Sequence, residues 1–396
     1  MNVGIAKEIG TNERRVSVTP DSARQIKGAG YDVLVEAGAG AGAFIPDKAY
    51  EEAGATIVQS PSELWSGSQI VLKIQPPLQH RVLGRHEADL VAEGSILICM
   101  LRPLSHLDAV RTLARRNITS FSMDMMPRTT RAQRMDALSS MSTIAGYKAV
   151  VMAADSLPKI YPMLVTAAGT IAPSRAIVIG AGVAGLQAIA SARRLGAVVE
   201  AYDVRPAVKE EVESLGATFI GPELEAKDVQ DEQGYAKALS ADAQRKGLEL
   251  LHSRIPQADV VITTARVPGM PAPRLIPADI VKQMRPGSVI VDLAADMGGN
   301  CELTEAGQTV VKHDVTIHGP VRLAATVPVH ASQMYSKNIT SFLLHLTKDG
   351  KLNLDWSDDI TSGTCVTRDG QIVHAKTRER AEGTPAQPAA AGTARS

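Results

Sequence analysis

Residues 175–190 read Arg175-Ala-Ile-Val-Ile-Gly180-Ala-Gly182-Val-Ala-Gly185-Leu-Gln-Ala-Ile-Ala190, and the chain runs on to Val198-Val-Glu-Ala-Tyr-Asp203. The apolar run Ala176–Ile179 is a short buried strand by composition. Gly180, Gly182 and Gly185 complete G-x-G-x-x-G directly after it. Leu186 to Leu195 has helical spacing, and Gly196 supplies the stop. Each glycine has a job: Gly180 permits the tight turn, Gly182 lets a pyrophosphate approach the backbone, and Gly185 lets helix and strand pack closely. The helix start at Val183 and Ala184 offers free N–H groups and the positive end of a dipole to phosphates. Asp203, about 20 residues on, is placed to accept hydrogen bonds from a ribose diol. Its charge opposes a 2′-phosphate, so the reading is NAD rather than NADP. Val204 and Arg205 follow it, and an arginine there can also meet such a phosphate.

Outward from this unit, the 396 residues suit two domains. Formal net charge is zero and aromatic residues are 3%, so no basic face or stacking platform points to nucleic acid. Cys99, Cys301 and Cys365 are scattered, which suggests neither a disulfide frame nor a zinc site and suits a reducing cytoplasm. The opening Met-Asn-Val-Gly-Ile-Ala does not read as a signal peptide. No apolar run approaches the roughly 18 residues of a transmembrane segment.

Residues 1–125 alternate strand-like pieces (Val3–Ala6, Tyr31–Val35, Ile70–Ile74, Ser95–Cys99, Ile118–Phe121) with helical ones, among them a helix from Thr19-Pro20 to Lys27 and another over His106–Arg116. This predicts a parallel sheet covered on both faces. The fold class expected is α/β, with two Rossmann-like domains separated by a cleft. The first comprises 1–140 plus 327–377 and the second 141–326, with 378–396 a disordered tail. The Gly-Ala repeat Gly38–Ala43 reads as a plain loop. Lys73, inside an apolar run, either ends at solvent or points into a cleft.

Residues 126–147 are dense in polar groups interleaved with Met and Leu. If helical, Gln133 and Asp136 share a face. Arg128, Gln133, Asp136 and Ser139 would together offer donors and acceptors to a carboxamide and a ribose. The same stretch also reads as a solvated linker helix. Gly221 to Arg245 is a long charged connection, in which Tyr235 is either a lid residue or part of a mobile insertion. Thr264 and Ala265, with Pro268-Gly269, resemble the loop that flanks a nicotinamide ribose. Asp296 follows the strand Ser288–Leu293 and is placed for cleft chemistry or for capping. Residues 326–345 are helical, with Asn338 as an internal boundary.

Over nearly its whole length the chain resembles the alanine dehydrogenase / nicotinamide nucleotide transhydrogenase group. More narrowly, it is similar to the soluble NAD-binding alpha-1 subunits of proton-translocating transhydrogenases. The resemblance rests on Lys7-Glu8, on Glu13-Arg-Arg-Val-Ser-Val-Thr-Pro20, on Met126 to Ser140, and on the fingerprint through Arg205. Gly234-Tyr-Ala-Lys237, Asp292-Leu-Ala with Gly298-Gly-Asn-Cys301, and Ser362 to Gly370 add to it. It implies that Arg128, Asp136 and Ser139 contact the nicotinamide end of NAD. It implies that Gln133 faces the NADP nicotinamide of a partner and that Tyr235 lies on a loop closing over NAD. It further implies a homodimer joined to NADP-binding and membrane-spanning subunits, on the cytoplasmic face of the membrane. Alanine oxidation needs an acid–base group, and the stretch where a histidine is expected reads Cys99-Met-Leu-Arg102. Hydride transfer between two nicotinamides needs positioning and water exclusion instead. Arg15, Lys73 and Asp296 nonetheless match substrate and catalytic positions of the dehydrogenase, which stays as the alternative, beside a non-catalytic NAD(H)-binding module.

Overall fold

The computed structural model describes residues 1–221, 241–267 and 270–383. It forms two compact units: Met1–Ser140 with the described residues from Pro328 on, and Met141–Val327. The boundary at Ser140 falls inside the helix Ala137–Ser156.

In the first unit, parallel strands lie in the order Thr56–Val58, Asp32–Glu36, Asn2–Ile5, Ile70–Leu72, Ile96–Cys99, Thr119–Ser122. The strand Cys365–Arg368 then adds antiparallel to Thr119–Ser122, and Gln371–Ile372 pairs with it in turn. The central strands are near-continuous apolar runs because they are buried on both faces; every residue of Ile70–Leu72 and Ile96–Cys99 is buried. The expected helices form at Pro20–Gly28 and Leu107–Arg115. Thr19 occupies the N-cap position without a side-chain cap; its hydroxyl instead meets Ser336 Oγ at 3.2 Å.

The second unit repeats the doubly wound order: Thr218–Phe219, Val198–Tyr202, Arg175–Ile179, Val260–Thr263, Val289–Asp292, Val315–His318, all parallel, with Thr309–Lys312 antiparallel at the edge. Strand order reverses beside Arg175–Ile179, and ligands of such sheets sit at that switch point, past the carboxyl ends of the strands.

Several expectations change. The sheets carry antiparallel edge strands as well as parallel ones. Residues 164–171 form a two-stranded hairpin, Leu164–Thr166 with Gly169–Ile171. The helix Pro328–His345 runs through Asn338 unbroken. The expected disordered tail begins too early, because Ala375–Gly383 is helical. Lys, Arg, Glu and Ala are strong helix formers. The first turn is held by His374, whose Nδ1 lies 2.6 Å from Thr377 Oγ1, and Arg111 donates to Ala381 O. The long charged connection also ends earlier than its sequence suggests, since Ala241–Arg254 is helical.

Candidate functional site

The three glycines of the fingerprint loop have different surroundings. Gly180 has φ +94°, and a Cβ there would sit 2.5 Å from Thr264 Oγ1. A Cβ on Gly185 would lie 1.8 Å from Gly180 O, so the helix Val183–Arg194 rests directly on the turn. A Cβ on Gly182 would meet nothing within 4 Å. That residue faces open space at the N-terminus of a helix with no side-chain cap, and a backbone cradle that a Cβ would fill suits a pyrophosphate. Gly146, unremarked in the sequence, brings the helix Ala137–Ser156 against this same point; a Cβ there would be 2.1 Å from Ala184 O.

Asp203 is buried at the end of its strand. Its Oδ2 accepts from Ala181 N at 2.7 Å, tying it to the glycine loop. Arg205 grips the same carboxylate through Nε and Nη2, both at 2.9 Å, and its own N–H donates to Oδ1 at 2.9 Å. Val204 packs into the core beneath. Thr264 donates its hydroxyl to Gly180 O at 2.9 Å. Ala265 is clamped by Asn300, which accepts from Ala265 N at 3.1 Å and donates to Ala265 O at 2.9 Å. Gly180, Gly182, Val183, Ala184, Gly185, Asp203, Val204, Arg205, Thr264 and Ala265 thus gather at the carboxyl ends of three neighbouring strands. Tyr235, Pro268 and Gly269 lie outside the described residues.

Sequence reading singled out Asp296, but that carboxylate is paired with Arg266 Nη2 at 2.7 Å. The acid that orders the loop is Asp292, wholly buried. It accepts from Thr263 Oγ1 at 2.8 Å, Ala294 N at 2.9 Å, Cys301 N at 2.9 Å and Thr304 Oγ1 at 2.8 Å. The Asp-Leu-Ala and Gly-Gly-Asn-Cys pieces are therefore one hydrogen-bonded corner, legible beforehand only as two separate motifs.

The second group of predicted residues belongs to the first unit. The stretch is not one helix. Thr130–Met135 is a 3₁₀ turn, and Asp136 leaves it at φ −74°, ψ 86°. Gln133 and Asp136 therefore do not share an α-helical face. Asp136 caps the following helix, accepting from Ser139 N at 2.9 Å and Ser139 Oγ at 2.5 Å. Competition between side-chain capping and helix continuation explains the break. Arg128 and Gln133 are exposed, and Asp136 and Ser139 half-buried.

Lys73 neither reaches solvent nor opens into space. Its side chain is fully buried, with Nζ 3.0 Å from Glu87 Oε1 and 3.4 Å from Glu8 Oε2, and 5.8 Å from the Trp65 ring centroid. Burial disfavours its charge, yet Glu8 and Glu87 together raise its pKa. Burial pushes Glu8 up to about 7, against the pull of Lys73. Arg15 is held by Glu13, with Nε 2.7 Å from Oε1 and Nη2 2.6 Å from Oε2. Past the strand Ile96–Cys99 come buried Met100 and Leu101, and then Arg102, at φ +48°. His106 Nδ1 lies 3.3 Å from Arg102 O, and burial lowers the pKa of that imidazole.

Comparison with known proteins gives the family and the fold. The family model for the alanine dehydrogenase/PNT N-terminal domain matches residues 4–145, and that for the C-terminal domain matches residues 149–375. An NAD(P) transhydrogenase alpha-subunit chain of Rhodospirillum rubrum is 46% identical over 377 residues, 94% of this chain and 98% of that one. The crystal structure of a transhydrogenase from Sinorhizobium meliloti superposes with a TM-score of 0.84 at 41% identity, covering 94% of this chain and all of the other. An alanine dehydrogenase of Halomonas elongata is 30% identical, over 94% of this chain and 95% of its own length.

Proposed function

The chain belongs to the alanine dehydrogenase/transhydrogenase family, and we propose that it is the NAD(H)-binding subunit of a proton-translocating NAD(P)⁺ transhydrogenase. In this reading a hydride passes directly between NADH on this chain and NADP⁺ on a partner subunit. The observation that carries it is the open amide cradle at Gly182, set beside the buried carboxylate of Asp203.

Gly180, Gly182, Val183, Ala184 and Gly185 would hold the pyrophosphate, and Asp203, with Val204 and Arg205 beside it, the adenosine ribose. Thr264 and Ala265 would flank the nicotinamide ribose, and Tyr235 would close over the dinucleotide. Arg128, Asp136 and Ser139 would orient the nicotinamide end, and Gln133 would face the partner. Bound there, NADH would supply a hydride to the NADP⁺ of the partner, with no proton released. Rate then comes from holding the reacting carbons about 3–3.5 Å apart and keeping water out. Acid–base chemistry is not required, which fits Met100-Leu101-Arg102 at the position where a dehydrogenase would place its histidine.

Among the described residues no helix is long and apolar enough to cross a membrane. Following the family resemblance, the proposal assigns proton movement to membrane-spanning subunits and places this chain on their cytoplasmic face. Among the described residues, the two strands of the hairpin Leu164–Ile171 pair only with each other. The hairpin exposes Leu164, Val165 and Ile171, with Met163 exposed just before it, and no charged residue lies between Ile160 and Ser174. Open strand edges of this kind invite self-pairing, and a second copy of the chain, in a two-fold homodimer, is the occupant proposed.

The test is NADH-dependent reduction of an NADP analogue by the purified chain, with and without an NADP-binding partner protein. Transfer that needs the partner is expected, and Gln133→Asn should slow it while sparing NADH affinity. NADH oxidation driven by pyruvate and ammonium would assign the dehydrogenase instead. Intact NADH binding with no transfer would assign a binding module.

A further inference from the structure

The segment Trp356–Gly370, of which only Ser362–Gly370 enters the family resemblance, has no role in the site so far described. It lies along the polar stretch that carries Gln133. A Cβ on Gly363 would sit 3.4 Å from Pro127 Cγ. Asp358 Oδ2 receives Arg131 Nη2 at 2.5 Å, and Asp359 binds the same nitrogen. Asp358 is itself fixed: Oδ1 accepts from Ile360 N at 2.9 Å and Thr361 N at 3.0 Å, and lies 3.0 Å from His345 Nε2. Behind it, Trp356 stacks on Phe121 at 6.1 Å between centroids, and Phe121 meets Phe342 edge-on at 5.5 Å.

The other anchor comes from the helix Pro328–His345. Asn338, buried there, donates its Nδ2 to Arg134 O at 2.9 Å. A 3₁₀ turn has poor internal hydrogen-bond geometry and seldom holds its shape unaided. Thr130–Met135 is thus tied at Arg131 through a side chain and at Arg134 through the main chain. The exposed Gln133 lies between these two ties.

We propose that Arg131 and Asn338 are positioning residues for hydride transfer, fixing the turn that presents Gln133 to the partner's nicotinamide. The proposal rests on the transhydrogenase reading. Displacement of about 1 Å at a reacting pair costs up to 100-fold in rate, whereas an exposed ion pair contributes little to stability. Arg131 is 61% exposed, so its loss should spare the fold and harm the geometry.

The experiment compares Arg131→Ala, Arg131→Lys and Asn338→Ala with Gln133→Asn in the full chain. It measures single-turnover hydride transfer to an NADP analogue on the partner protein, NADH affinity and thermal midpoint. Arg131→Ala should slow transfer about tenfold with NADH affinity within about twofold, and Arg131→Lys should restore part of the rate. Asn338→Ala should behave likewise; Arg131→Ala decides the matter should Asn338→Ala fail to fold. Wild-type transfer rates in Arg131→Ala, beside a slow Gln133→Asn, overturn this inference alone. So does a proportional loss of transfer and NADH affinity. No transfer by the wild-type chain overturns the functional reading itself, whereas none lost in Gln133→Asn removes Gln133 from the transfer site and this inference with it.

Discussion

Arg205 occupies both oxygens of Asp203: Nε binds Oδ1 and Nη2 binds Oδ2, each at 2.9 Å. With the Arg205 and Ala181 amides added, the carboxylate accepts four hydrogen bonds, about its full capacity. A ribose diol must therefore displace part of the guanidinium of Arg205, whose side chain is 17% exposed against 6% for Asp203.

Asp203→Asn keeps the size of the group and removes its charge. Hydrogen bonds to charged groups contribute about 1.5–3 kcal/mol, so NADH affinity should fall by roughly 10- to 100-fold. Arg205, released from its partner, should then favour a 2′-phosphate, narrowing the preference for NADH over NADPH. Fluorescence titration with both nucleotides checks this. Unchanged NADH affinity removes Asp203 from the ribose site.

Gly182 and Gly185 stand three residues apart yet should fail in opposite ways. Gly185→Ala drives a methyl into Gly180 O, so it should cost stability, about 1–3 kcal/mol or more. Gly182→Ala meets nothing in the protein. It should leave the thermal midpoint near wild type and cut NADH affinity at least about tenfold, because the methyl occupies the space of the pyrophosphate. Thermal unfolding with nucleotide titration separates the two. Normal NADH binding by a folded Gly182→Ala chain would remove the cradle from the proposal.

Local signals made much of this legible. The strand, three glycines, helix and Asp203 lie within 29 residues, and each constrains its neighbours through short-range geometry. The core strands were readable because apolar runs in parallel sheets are nearly continuous. What escaped was set by distant partners. Asp136 looked like a helix residue until its bonds to Ser139 made it a cap. Lys73 read as surface or cleft because Glu8 and Glu87, 65 and 14 residues away, are what make its burial tolerable. Asn338 read as a helix boundary because nothing nearby reveals Arg134 O as its acceptor.

Glu8 sets a pH dependence on the first unit. Its carboxyl accepts from Ile74 N at 2.6 Å and lies 3.4 Å from Lys73 Nζ, with Glu13 and Glu87 adding repulsion; burial raises it from 4.5 to about 7. A folded-state pKa above the unfolded one means the native chain holds the proton more tightly. That stabilisation is complete below about pH 4.5 and is lost as pH rises through about 7, on the order of 3 kcal/mol across the window. Glu8→Gln should flatten the stability slope between pH 5 and about 8, whatever it costs at any single pH by unpairing Lys73. Chemical denaturation across that range measures both slopes, and parallel curves would exclude Glu8 as their source.

Val165 is 74% exposed on the hairpin whose strands, among the described residues, pair only with each other. A two-stranded hairpin alone is marginal in water, and covering its apolar side chains and edges with a second copy resolves both the exposed side chains and the open edges. Val165→Glu places like charges on both sides of such a two-fold contact. It should shift the chain from dimer to monomer in sedimentation experiments at micromolar concentration. Because Val165 makes little contact within its own chain, the thermal midpoint of the isolated monomer and its NADH affinity should hold. A wild-type chain that sediments as a monomer, or a Val165→Glu chain that remains a dimer, removes the hairpin as the interface.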